Sequence, residues 1–407
     1  MTEFVTRAQI VLLARTLHVP ADRLAHLEKL GATQLHELQQ RMASVIFEEH
    51  AATFKRLSML VPVVPLSISI PLVQRIVPPL IAGRAAGAVG VDHPKKAADA
   101  VGMLDPGFAA DCAPYIDPHT VGELADVAPP EPIARIADEL MRRADYVTAG
   151  PFLAYATPQL IRAVETGVPD DEGLIRSAAY AFSGSNISSI VRELLGGPAQ
   201  RIPRIARTVL AGSAELQLAA VSVFARCDED VIASVGDILF DIGAAEDITA
   251  MAAAIIDAGA VPELLRFVGH LSPSALDILA ANPITADETR MAAVIAVLDG
   301  RAEPALWRGL VNLLERTAAG LQRGLIRQVI ALPEPTLVAM AAAGTAAHLW
   351  PSLLRVLADA DMDSQTRLGE IWAKLPPEER DAVERRVHEL HLDTRLATLT
   401  VTLNIYG

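Results

Sequence analysis

The sequence predicts an all-α fold, an α-solenoid of short helix pairs, and three observations carry that expectation. Xaa-Pro steps recur at Asp105-Pro106, Asp117-Pro118 and Pro129-Pro130, each twelve residues after the last. The same punctuation returns at Pro151, Pro158, Pro203, Pro262, Pro273, Pro283, Pro304, Pro333, Pro351 and Pro376. Apolar residues make up 51% of the 407 residues but aromatics only 4%, so Ala, Leu, Val and Ile fill an interior of close-packed helices. Proline fits the first turn of a helix and pushes the residue before it out of the α region. Each step therefore ends one helix and starts the next.

In chain order, residues 1–56 read as three helices: Ala8–Leu17, a second opened by Pro20-Ala21-Asp22, and a long one over Thr33–Arg56. The long helix places Leu35, Leu38, Met42, Val45 and Ile46 on one face. Residues 57–92 form an apolar segment rich in Pro and Gly, expected to pack on the solenoid. Leu57–Gln74 carries no charge and contains Pro62, Pro65 and Pro71, which break any regular membrane span. Burial of Ile68, Ile70, Leu72 and Ile76 is expected there, with peripheral membrane contact as the alternative. Apolar and polar residues alternate at residues 66–70 and again at 399–405, and two such lone strands would satisfy their backbones by pairing into a small β element.

From residue 93 to 395 the repeat pattern takes over. The first units read as Gly107–Ala113, Thr120–Val127 and Pro132–Arg143; later ones lengthen, as in Gln217–Arg226, Glu229–Asp241, Ala245–Ala258, Ala286–Leu298 and Ala302–Arg316. Pairing them into hairpins gives repeats of roughly 25–40 residues, the HEAT-like range. Residues 396–407 form a strand-like tail.

Met103–Glu165 resembles the cytoplasmic N-terminal superhelical domain of MgtE-type magnesium transporters, through Leu104-Asp105-Pro106, Ile116-Asp117-Pro118 and Ala128-Pro129-Pro130. The resemblance implies a superhelix of short helices, each begun near a Pro or an acidic residue. The domains that accompany that family are missing from this chain, so it implies no transport role and carries over no metal-sensing residue.

A formal net charge of −14 argues against a phosphate-backbone partner, which needs a basic stripe. The excess of Arg over Lys suggests a GC-rich bacterial genome. Cys112 and Cys227 have no partner at ligand spacing and read as buried packing residues of a reducing, cytoplasmic compartment. No signal peptide is read at Met1–Arg15.

Chemistry-bearing side chains are densest between Asp92 and Tyr155. His, Tyr and carboxylates close together are what acid–base work or ligand binding requires. His93, Asp111, Tyr115, His119, Arg142 and Tyr146 are the candidate ligand-binding residues. Against that, Asp92, Asp105 and Asp117 suit helix N-caps, and Arg142 and Arg143 suit a helix C-terminus. Glu48-Glu49-His50 reads as a solvated face, because adjacent helical residues diverge by about 100°. His388-Glu389-Leu390-His391 lacks the zinc-protease spacing. Asp359, Asp361, Asp363 and Glu370 imitate a calcium loop, but Ser364 stands where Gly is needed and Asp363 would serve as an N-cap.

No nucleophile elbow, phosphate-binding loop or dinucleotide fingerprint occurs. The sequence therefore points to a non-catalytic repeat scaffold that binds a protein partner on its concave surface, without metal or cofactor, alone or as an oligomer. The alternative is a binder of an apolar or lipid-like small molecule, or an unusual enzyme acting on one, with its pocket between residues 57–83 and the polar cluster of 92–155.

Overall fold

The structure, a computed structural model, describes residues 3–58 and 65–406, without the side chains of residues 3, 4, 47–58, 88, 89, 91, 118 and 119. Among the described residues every regular element is helical. The proline rule holds at most of the expected steps: helices Pro94–Met103, Pro106–Cys112, Pro118–Leu124, Pro130–Arg142, Pro158–Gly167, Pro273–Ala280, Pro304–Arg316 and Pro377–Glu389 each begin on a proline. Pro151, however, lies inside Tyr146–Phe152 near its end, and Pro203 is the third residue of Arg201–Leu210. The chain divides into two compact units, Met1–Val209 with Arg226–Asp228, and Leu210–Ala225 with Glu229–Gly407.

In the first unit the N-terminal helix Glu3–Thr16 packs on Gly31–Ser58 and on the much later Asp171–Tyr180. Ile10, Leu13 and Leu35 make its core there, and Arg15 reaches Asp145 with two hydrogen bonds of 2.6 and 2.8 Å. A second core joins Ala110, Ala113, Leu140, Met141, Ala149 and Val168. The segment Ala21–Leu30 is a 3-10 helix with no buried residue.

In the second unit each helix meets those two or three places further along. Val261–Val268 packs on Pro304–Arg316, which packs in turn on Trp350–Leu357; Glu334–Ala346 packs on Met362–Trp372, and that on Ala397–Tyr406. Close approach depends on two glycines. A Cβ on Gly309 would strike the Leu265 backbone, with Leu265 Cα 3.0 Å away, and one on Gly369 would lie 2.7 Å from Thr402 Cβ.

The two expected strands are helices, Leu66–Ile76 and Ala397–Tyr406. Alternation over a few residues cannot separate the two structures, because residues i and i+4 share a face in both. In the C-terminal segment Leu399 and Leu403 are buried while Val401 and Ile405 are exposed, which is the helical division. A lone strand has no ladder partner, whereas a helix satisfies its own backbone. In Leu66–Ile76 the expected burial is also reversed: Ile68, Leu72 and Ile76 are 63%, 53% and 64% exposed, and Ile70 is half-buried. Pro62 lies outside the described residues.

No single described helix is long and apolar enough to cross a membrane. The pair Ala319–Ile330 and Glu334–Ala346 has the length and composition for one span, but bends by 115° at its break. Its apolar residues Leu325, Ile326, Val329, Ile330, Leu337 and Met340 are buried in the core of the unit.

Candidate functional site

The region of Asp92–Tyr155 is held by caps and inter-helix ties. Asp105 caps Pro106–Cys112 by accepting from the Phe108 amide at 3.0 Å, and its own amide donates to Gln74 Oε1 at 2.6 Å. Asp117 accepts from the Thr120 hydroxyl at 3.3 Å. Asp92 is the last residue of Pro79–Asp92, and it is His93 that takes the N-cap position of Pro94–Met103, without a side-chain cap bond.

Asp111 accepts from Arg143, not Arg142, at 2.6 Å; Arg143 also donates to Glu139 at 2.6 Å and to the Gly107 carbonyl at 3.1 Å. Arg142 stays on its own helix, with Glu139 and, at 3.8 Å, Asp138. Tyr115 faces the His18 ring, centroids 6.2 Å apart. Tyr146 packs on the core of Ala110, Leu140 and Met141, and burial, followed by the Asp170 charge, pushes its phenol pKa up. The His119 side chain lies outside the described residues. The other five expected site residues thus sit on several helices, and the partners named for Asp111, Tyr115, Arg142 and Tyr146 all differ.

Asp145 belongs to the same stretch but is not among the six candidates. It accepts from Thr148 Oγ1 at 2.7 Å as well as from Arg15. Burial opposes its charge, but the bonds from Arg15 and Thr148 outweigh burial and hold its carboxyl below the usual range. Arg15 is 130 residues away, and nothing local marks the pair.

Two further polar groups lie outside that stretch. Arg201, 1% exposed, donates to Asp171 at 2.5 Å and to the Glu165 and Val168 carbonyls at 2.7 and 2.6 Å. Asp171 also accepts from Arg204 at 2.6 Å. The available signal was position: Arg201 stands on the stripe of Ile205 and Val209, at helical spacing, where a cation must be paired. In the second unit Glu229 lies 3.2 Å from Arg308 and 3.4 Å from His270, and Arg308 also reaches the Ala347 carbonyl at 3.4 Å. Burial lowers the His270 pKa, with Glu229 opposing.

Among the described residues no group of three or more His, Cys, Asp or Glu could hold a metal ion. The side chains of Glu48, Glu49 and His50 lie outside that set. In the calcium-like sequence Asp361, rather than Asp363, is the N-cap, accepting from the Ser364 amide at 2.9 Å; it pairs with Arg327, and Asp359 with Arg395. His388 meets Asp393 at 3.2 Å.

No family model matches the chain, and no curated protein matches it.

Cys112 and Cys227 are both buried, and burial pushes each thiol up to about 11; the Asp111 charge adds to the rise at Cys112, and a Ser188 hydrogen bond opposes it at Cys227. The thiolate is the nucleophile, so neither residue should react in the folded state near pH 8. Mass spectrometry after brief iodoacetamide treatment should find no label on the native chain and two labels after denaturation. Rapid native labelling of either thiol would contradict their burial.

Proposed function

We propose that the protein is a non-catalytic helical-repeat scaffold that binds a protein partner. The observation supporting this is how the second unit uses its ionisable side chains. Arg266–Glu303, Asp277–Arg316, Glu315–Arg355, Glu334–Lys374 and Asp359–Arg395 each tie one layer to another 36 to 40 residues along the chain. Charged groups that could do chemistry are therefore committed to stacking, and a regular stack offers a partner an extended surface without reactive groups. Glu229, His270 and Arg308 cross three such layers as one polar strip, with Glu229 exposed at its edge.

Short Pro-started helices are also what Met103–Glu165 shares with the superhelical domain of the magnesium transporters, and no transport role is proposed for them. A cytoplasmic location fits this reading. The alternative pocket between residues 57–83 and the 92–155 cluster is not walled by Ile68, Leu72 and Ile76, whose side chains are exposed.

The full chain, purified from its native cell without harsh washing, should retain a protein at fixed stoichiometry by native mass spectrometry. Glu229→Gln removes the exposed charge at the edge of the strip and should weaken that complex about fivefold or more, because a charge matched across an interface is lost while an exposed ion pair adds little to the fold. Its melting temperature should change little. A small molecule at equal stoichiometry, with no protein partner, would overturn the scaffold reading in favour of the ligand-binding one.

A further inference from the structure

The helix Leu66–Ile76 is built inside out. At 100° per residue its exposed arc holds Ser67, Ile68, Pro71, Leu72, Arg75 and Ile76, while Leu66, Ile70, Val73 and Gln74 turn inward. The orientation is fixed from the inner side, where Gln74 Oε1 accepts from the Asp105 amide at 2.6 Å. Exposure continues along the chain through Pro78, Leu80 and Ile81 into Pro79–Asp92. The only charge on the first helix, Arg75, stands in the middle of its apolar arc. On the second helix Arg84 falls on the arc of Leu80 and Ile81.

Charge singles the segment out a second time. No acidic residue occurs between Glu49 and Asp92, although the chain has 49 of them and a formal net charge of −14. Arg75, Arg84, Lys95 and Lys96 stand against Asp92 alone between Pro65 and Ala98. Exposed apolar side chains mixed with cations, on a run of chain from residue 50 to 91 that carries no carboxylate, complement a layer that is apolar inside and anionic at its rim.

We propose that this face docks the protein peripherally on an anionic membrane surface. Leu66–Ile76 lies in the interfacial plane, with Ile68, Leu72 and Ile76 in the acyl boundary. Arg75 extends its stem along them and its guanidinium to lipid phosphate, and Arg84 and Lys95 add long-range attraction. Shallow docking agrees with the absence, among the described residues, of any single helix able to span a bilayer. A protein partner would not call for the clearance of acidic residues from an otherwise acidic chain, which favours lipid as the occupant. The proposal is independent of the scaffold reading and tested separately from it.

The test is co-sedimentation of the purified full chain with large vesicles, either of phosphatidylcholine alone or of phosphatidylcholine with an equal part of phosphatidylglycerol. Wild-type protein should sediment with the anionic vesicles, and raised salt should release most of it. Arg75→Glu should bind the anionic vesicles about tenfold less or weaker still, since each cation near such a surface is worth about fivefold. Leu72→Asp should lose binding altogether. Both positions are exposed, so melting temperatures should match wild type and separate lost docking from lost folding. Equal sedimentation with both vesicle types, or none with either, would overturn the proposal. So would a Leu72→Asp variant that binds vesicles like wild type, or one that instead converts a dimer to a monomer in analytical ultracentrifugation.

Discussion

Replacing Arg201 by methionine is expected to destabilise the first unit by about 3–5 kcal/mol, the usual cost of removing one member of a buried ion pair. Three acceptors lose their donor at once: the Asp171 carboxylate and the carbonyls of Glu165 and Val168. Arg204 still reaches Asp171, but its side chain is 48% exposed and its two bonds there both go to that carboxylate. Those carbonyls belong to the end of Pro158–Gly167 and the residue after it, where acceptors have no intrahelical donor. Lysine at 201 should recover only part of the loss, because an ammonium cannot present the planar fork that meets three acceptors. All three tryptophans, Trp307, Trp350 and Trp372, lie in the second unit, so their fluorescence does not report this change. Hydrogen exchange resolved to Asp171–Tyr180 and Arg201–Leu210 should show the loss. Unchanged protection there would mean that the pair is not what joins these helices.

Trp372→Ala should cost about 3–5 kcal/mol in the second unit, as truncation of a buried aromatic leaves a cavity that the backbone only partly closes. Trp372 is fully buried, donates to the Leu337 carbonyl at 3.0 Å, and stands edge-on to Trp350 at 5.5 Å and 73°. Arg386 covers the other ring, 5.1 Å from its centroid. Phenylalanine at 372 should cost less, about 1–3 kcal/mol for the lost indole hydrogen bond and the smaller ring. Chemical denaturation followed by the fluorescence of the remaining tryptophans measures both. A Trp372→Ala variant with a wild-type midpoint would show that the layers around Glu334–Ala346 and Met362–Trp372 are held by other contacts.

The helical class and the starts of the helices were legible because proline acts locally. Pro106, Pro118 and Pro130 fix their own φ and exclude their predecessors from the helix whatever surrounds them. Caps were legible for the same reason, as at Asp105, whose carboxylate reaches an amide three residues on. Where a local rule had two solutions, it failed: the alternation at 66–70 and 399–405 fits a strand or a helix, and only the absence of a ladder partner decides.

The candidate site was less legible. Composition marked Asp92–Tyr155 as rich in reactive types, but a side chain's role depends on which helix lies opposite. Asp111 faces Arg143 rather than Arg142 because the two arginines point about 100° apart on one helix. Arg15 and Asp145 meet across 130 residues, and Asp171 is neutralised from 30 residues away.

The sequence by itself determined that this chain is helical, where Pro106, Pro118 and Pro130 begin its short elements, and that its acids avoid residues 50–91, because each is a property of one residue or of a run of them. The tertiary structure alone decided that Ile68, Leu72 and Ile76 face outward, that Arg201 is the buried cation, and that Gly309 and Gly369 lie where helices touch. An amphipathic pattern says that two faces differ. Which of them is covered depends on neighbours whose contacts are non-local and whose energies no single segment contains.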